Sequence, residues 1–81
     1  MKDQENIIAR ARRGDAGAFE QLVETYRDQV YRIALRMCGN AADADEAAQE
    51  AFLAAWKGLP NFRGDSQFST WLYQLTCLLY T

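Results

Sequence analysis

The sequence predicts an all-α protein, a compact bundle of about four helices forming a single domain over residues 1–81. Three observations predict it. Apolar residues recur at three-and-four spacing through most of the chain, the pattern of helices that bury one face. Glycine falls where each periodic run stops, at Gly14, Gly39 and Gly58, and helix C-termini favour that residue. Finally, 81 residues of 49% hydrophobic content suffice for one core burying ~60–65% of the unfolded surface, unlike a disordered composition.

The first helix, roughly Asp3–Arg13, carries Ile7, Ile8 and Ala11 on one side and Arg10, Arg12 and Arg13 around the rest. It is short, marginal in isolation, and its late arginines suit the negative end of a helix dipole. Asp15 caps the second and longest helix, about Gly17–Cys38. Its stripe is Phe19, Leu22, Val23, Tyr26, Val30, Ile33, Ala34 and Met37. Tyr31 and Leu35 lie off that stripe, so coverage on two sides is expected. Asp28 precedes Arg32 by four residues, with Arg36 beyond, which predicts a solvated row containing a surface ion pair. Gly39-Asn40 reads as a stop.

In the third helix, Asp43 followed by Glu46 resembles a capping box, and Gly58 ends the helix after Lys57. At 100° per residue, Ala44, Ala48, Ala51, Phe52 and Ala55 share one face. Its alanines let another helix approach closely, so this is the expected core side. Opposite them Glu46, Gln49, Glu50, Leu53 and Lys57 line up within about 60°. That mostly acidic stripe around one leucine has two readings. It is a solvated face with an incidental apolar residue, as is common on monomers, or a docking surface for a basic partner helix.

Asn61–Tyr73 follows the only proline, Pro60. Its first half is turn chemistry, and Asp65 or Ser66 can cap the helix that restarts after it. Phe62, Phe68, Trp71 and Tyr73 crowd around this polar turn, which carries Arg63. Phe68, Leu72 and Leu75 have helical spacing and read as core. Phe62, Trp71 and Tyr73 stay open between closing the bundle and stacking unpaired bases, worth ~1–3 kcal/mol per base. The last helix runs on through Leu78, Leu79 and Tyr80 without a stop signal. Its apolar end reads as a fragment boundary or a replaced C-terminus, frayed or covered by a partner.

The chain carries a net charge of −2 and no histidine, which removes the usual neutral-pH acid–base group. Asp43, Asp45, Glu46 and Glu50 have no basic or metal-binding neighbour, and Ser66, Ser69 and Thr70 have no histidine to activate them. Gly64 stands alone in its loop, so no glycine-rich loop cradles phosphate. The expectation is therefore no enzyme, no cofactor and no metal. Cys38 and Cys77 lie far apart and read as buried thiols of a reducing cytosol, a disulfide or redox switch being the alternative. Neither an N-terminal apolar region nor an uninterrupted run of about 18 apolar residues is present, so a cytoplasmic protein without membrane contact is expected. After Lys57 the only basic residue is Arg63, too few for phosphate-driven duplex binding. Nucleic-acid contact must then be ring-and-loop recognition of opened bases, beside a larger basic partner.

These pieces resemble region 2 of an extracytoplasmic-function (ECF) bacterial sigma factor. The matching residues are Gly14-Asp15-x-x-Ala18-Phe19-x-x-Leu22 with Tyr26, then Asp43-Ala44-x-x-Ala47-x-Gln49-Glu50-Ala51-Phe52-x-x-x-Trp56. Last comes Phe62-Arg63-Gly64-Asp65-x-x-Phe68-x-x-Trp71-Leu72-Tyr73. The resemblance implies a helical domain that joins core RNA polymerase and helps melt the promoter's minus-ten element. It implies that Glu46, Gln49, Glu50 and Leu53, with Lys57 completing the stripe, face the clamp coiled coil of the largest polymerase subunit. Asn61, Phe62, Arg63, Gly64, Asp65 and Ser66 would receive a flipped base of the non-template strand, with Phe68 and Trp71 bracing or stacking nearby. The family follows Trp-Leu-Tyr with arginine, then alanine and Arg-Asn. Here Gln74, Thr76, Cys77 and Leu78 stand instead, and the family's second DNA-binding domain is not expected within residues 1–81. The competing expectation is thus an interaction-only region 2 remnant that binds polymerase or an anti-sigma factor without DNA function.

Overall fold

The computed structural model describes residues 2–79 apart from Asp65, with side chains from Asn6 onward. Four helices follow one another: α1 (Lys2–Arg12), α2 (Ala16–Cys38), α3 (Ala41–Gly58) and α4 (Phe68–Leu79), with a 3-10 turn at Leu59–Asn61. Every regular element among the described residues is helical, as the apolar spacing predicts. Each of the other helices packs on α2, and α4 also packs on α3.

The α1–α2 corner is closed by hydrogen bonds. Asp15 N–H donates to Arg10 O at 3.1 Å and Gly14 N–H to Ala11 O at 3.0 Å, the paired bonds of a Schellman ending. Gly14 sits at φ 99°, where a Cβ is disfavoured. The Asp15 carboxylate then caps α2, accepting from Ala18 N–H at 3.1 Å, and pairs with Arg10 at 2.9 Å.

Ala18, Leu22, Val30, Ile33 and Ala34 form the buried line of α2, while Phe19 and Tyr26 pack half-buried on its edge. Off that line, Tyr31 packs against Ala34, Ala44 and Ala47, whereas Leu35 is exposed. The surface ion pair on this helix is Glu24–Arg27 at 2.6 Å. Asp28 and Arg32, expected to pair, stay exposed without closing to one.

Gly39 ends α2 at φ 84°, its N–H bonding Leu35 O, but Asn40 belongs to the next helix. Asn40 Oδ1 accepts from Asp43 N–H at 2.9 Å, and its Nδ2 donates to the Asp43 carboxylate at 2.8 Å. The capping pair is therefore Asn40 with Asp43, one turn before the predicted Asp43 with Glu46. Asparagine offers both an acceptor for the N3 amide and a donor for the N3 carboxylate, so it takes the cap. On α3 the fully buried residues are Ala44, Ala47, Ala51 and Ala55. Ala47 replaces the expected Ala48 and Phe52, which are half-buried. The face is turned because α3 is flanked by both α2 and α4.

In α4, Phe68 and Leu72 are core and Leu75 is partly buried against it. Thr76 is fully buried as well, because its hydroxyl is satisfied by donating to Leu72 O at 2.8 Å. Leu78 and Leu79 are exposed; Tyr80 lies outside the described residues. Cys38 and Cys77 are free, half-buried thiols, not a disulfide. No helix among the described residues is long and apolar enough to cross a membrane.

Candidate nucleic-acid and protein interfaces

The first surface grows out of the α3–α4 connection. Leu59 is fully buried, and Phe62 N–H closes the 3-10 turn by donating to Leu59 O at 2.9 Å. Beyond it the chain is extended at Phe62 and reaches the exposed Arg63, Gly64, Ser66 and Gln67. Gly64 is at φ 79°, again where glycine is favoured. Asp65 lies outside the described residues. The first bond of α4 runs from Trp71 N–H to Gln67 O at 3.0 Å. The helix thus starts after Gln67; of the two expected capping residues, Ser66 is exposed and Asp65 lies outside the described residues.

Beneath this tip lie the rings. Phe62 is 7% exposed and Phe68 5%, so both belong to the core that supports the loop. They meet edge to face at 5.9 Å. Trp71 bridges them, 5.1 Å from Phe62 and 5.7 Å from Phe68, and is half-buried. Each such pair adds about 0.5–1.5 kcal/mol beyond its buried area. A Cβ on Gly58 would sit 3.5 Å from the Trp71 ring, so the indole also rests on the end of α3. Tyr73 remains 46% exposed and faces outward. The structure thus brings Phe62, Phe68 and Trp71 together underneath, and leaves Asn61, Arg63, Gly64 and Ser66 outside at the tip.

The second surface is the outer side of α3. Glu46, Gln49, Glu50, Leu53 and Lys57 are all exposed, with Leu53 at 55%, as the helical arithmetic predicts. A groove of about 750 Å³ runs between α2 and α3 beside them, and Gln49 and Leu53 help to line it. Its apolar floor includes Phe19, Val23, Tyr31, Phe52 and Trp56, with Glu20, Asp28 and Asp45 among its polar residues. Phe19 and Trp56 pack at 4.9 Å. Sequence reasoning placed Phe19 and Val23 in the core and missed this α2 wall. The signal was there in the surplus of large apolar residues beside the small alanine seam.

Electrostatically, Asp15 stands out. Its carboxyl is held below the usual range, first by the Ala18 backbone N–H and then by the Arg10 guanidinium.

Geometry alone defines a class: a small all-α domain that displays a ring-braced polar loop and, apart from it, an acidic helix face. The family is defined by its kin. The chain matches the model of sigma-70 region 2 over residues 22–76, and it belongs to that family. It is 40% identical to the RNA polymerase sigma-H factor of Pseudomonas aeruginosa, covering 93% of this chain and 39% of that protein. The ECF sigma factor SigW of Bacillus subtilis is also 40% identical, with 84% of this chain and 36% of that protein covered. For the sigma-E factor of Escherichia coli K12 the identity is 39%, over 85% and 36% respectively. The chain thus spans less than two-fifths of the length of these relatives. Among solved structures, an engineered region 2 of sigmaE in complex with GTAAAA superposes with a TM-score of 0.86. It is 32% identical, and the match covers 93% of this chain and 78% of that one.

Proposed function

We propose that this chain is the region 2 module of an ECF-type sigma factor, acting in the cytoplasm as a binding protein rather than an enzyme. It docks on the clamp coiled coil of the largest subunit of core RNA polymerase through Glu46, Gln49, Glu50, Leu53 and Lys57. Its Asn61–Ser66 loop receives an opened non-template base of the minus-ten element, with Phe62, Phe68 and Trp71 holding that loop from beneath. The observation that carries the reading is the match to sigma-70 region 2 across residues 22–76. The exposed stripe and the braced loop both fall inside that span. An apolar centre ringed by charge is also the anatomy of an interface anchor. An anti-sigma factor competing for the same surfaces belongs to this proposal.

A second reading, docking without DNA contact, is favoured by one observation. Arg63 is the only basic residue after Lys57. Competition for core polymerase by the wild-type chain and by a Glu50→Lys, Leu53→Ala double variant tests the docking surface. The fold should survive, because exposed substitutions usually shift stability by within about 0.5 kcal/mol. Polymerase binding should weaken, with the charge reversal more salt-sensitive because exposed charges are screened. Equal competition by equally helical chains refutes the surface. A chain that docks normally yet never engages single-stranded minus-ten DNA in the complex supports the second reading.

A further inference from the structure

We infer that Tyr26 and Gln29, in the middle of α2, are positioning residues for the loop that precedes α4. The inference rests on the reading of that loop as the strand-receiving surface. The backbone bonds bordering the loop are Phe62 N–H to Leu59 O and Trp71 N–H to Gln67 O. Where its two ends are held bears on its shape. At one end the Phe62 ring is locked into the triangle with Phe68 and Trp71. At the other, the first turn of α4 shares the buried core with α2, and two α2 side chains reach it specifically. The Tyr26 ring lies 5.3 Å from the Phe68 ring, and Gln29 Nε2 donates to Ser69 O at 3.4 Å.

These two contacts have complementary effects. Tyr26 and Gln29 are three residues apart and share one side of α2, while their targets Phe68 and Ser69 are consecutive in α4. A ring contact sets how close the helices lie but tolerates some rotation. A hydrogen bond to a main-chain carbonyl does not, because that oxygen is fixed by the helix itself. Together they set the rotation of the first turn of α4. A turn of α4 about its axis would swing Phe68, and with it the ring triangle that carries Phe62 and the loop. Tyr26 and Gln29 thus act on the loop through Phe68 and Ser69.

At 3.4 Å the bond is longer than the usual N–H···O range and therefore weak, so a modest and specific effect is expected. Gln29→Glu and Gln29→Leu both keep the side chain's size and remove its donor, and the carboxylate additionally opposes a carbonyl oxygen. In the 81-residue chain, both should leave the urea midpoint nearly unchanged while shifting the backbone NMR signals of Arg63, Gly64 and Ser66. Affinity for single-stranded GTAAAA and for randomised hexamers, read by titration, should fall about threefold to fivefold, as for loss of one weak hydrogen bond. Gln29→Glu should show the larger loss. A merely structural role would move the midpoint and leave loop signals and affinity together. Unshifted loop signals with wild-type affinity overturn the inference. If Arg63→Ala weakens binding while both Gln29 variants do not, the loop reading stands and the inference falls. A wild-type loop that does not respond to either oligonucleotide overturns both.

Discussion

The chain contains Gly-Asp twice, at Gly14-Asp15 and Gly64-Asp65, and both glycines take a positive φ, 99° and 79°. The two turns otherwise differ in what holds them. Around Gly14 the turn is closed by its own hydrogen bonds, and α2 restarts at the very next residue after Asp15. Around Gly64 the helix restarts only at Phe68, and the intervening Ser66 and Gln67 stay exposed. Among the described residues, support there comes from the rings below. A turn that satisfies its own amides joins helices. A turn braced by rings from below displays Arg63, Gly64 and Ser66 to solvent.

Removing the brace should give the largest effect. Phe68→Ala deletes a buried ring that touches Tyr26, Phe62 and Trp71, and should cost ~3–5 kcal/mol as a core cavity. Trp71 is half-buried, so Trp71→Ala should cost clearly less stability. Urea melts of the two variants decide this. Equal losses would make the indole as much a core element as the buried phenylalanine, and would leave little of it for a bound strand.

This difference between turns also marks what was legible in the sequence. Helical periodicity fixes which residues share a face, so the exposed Glu46–Lys57 stripe could be read residue by residue. The Gly14-Asp15 corner was legible too, because capping chemistry is local. Periodicity does not say how a face is rotated once two neighbours press on it, so Ala47 was missed in favour of Ala48. Nor does hydrophobicity reveal that Thr76 can be buried by bonding its own helix. The four rings were visible near the loop, but their sorting into buried Phe62 and Phe68, half-buried Trp71 and exposed Tyr73 depends on the crossing of α2, α3 and α4. Short-range pattern does not encode that crossing.

A smaller effect should separate the glycines themselves. Neither has a heavy atom within 4 Å of an added Cβ, so the main cost of valine at either is the backbone penalty of positive φ, about 1–3 kcal/mol when the conformation cannot relax. Gly14→Val should incur that cost, since backbone hydrogen bonds fix the turn around it. Gly64→Val should lose less than about 1 kcal/mol, because the exposed loop can rearrange. In exchange it should lose single-strand binding, whereas Gly64→Asn, which tolerates the left-handed region, should retain it. Melting curves with oligonucleotide titrations test both halves. Equal stability losses at the two sites would mean that the second turn is as tightly held as the first.

The smallest effect isolates the charge in the closed turn. Asp15 has its carboxyl pKa lowered, first by the hydrogen bond from Ala18 N–H and then by Arg10. A carboxylate whose folded pKa is depressed contributes stability that is fully present above its unfolded value of about 4 and is lost as pH falls through the folded value. The Asp15→Asn variant would still cap α2, because asparagine ranks with aspartate at that position, but its amide cannot titrate or form an ion pair with Arg10. Asp15→Asn should therefore melt slightly below wild type at pH 7, and the gap should close as pH drops well below about 4. Both chains share every other carboxylate, so the difference between their curves reports this one group. A gap that persists unchanged into acid would show that the corner is held by packing and backbone bonds alone, and that its aspartate is linked to folding no more than any solvated side chain.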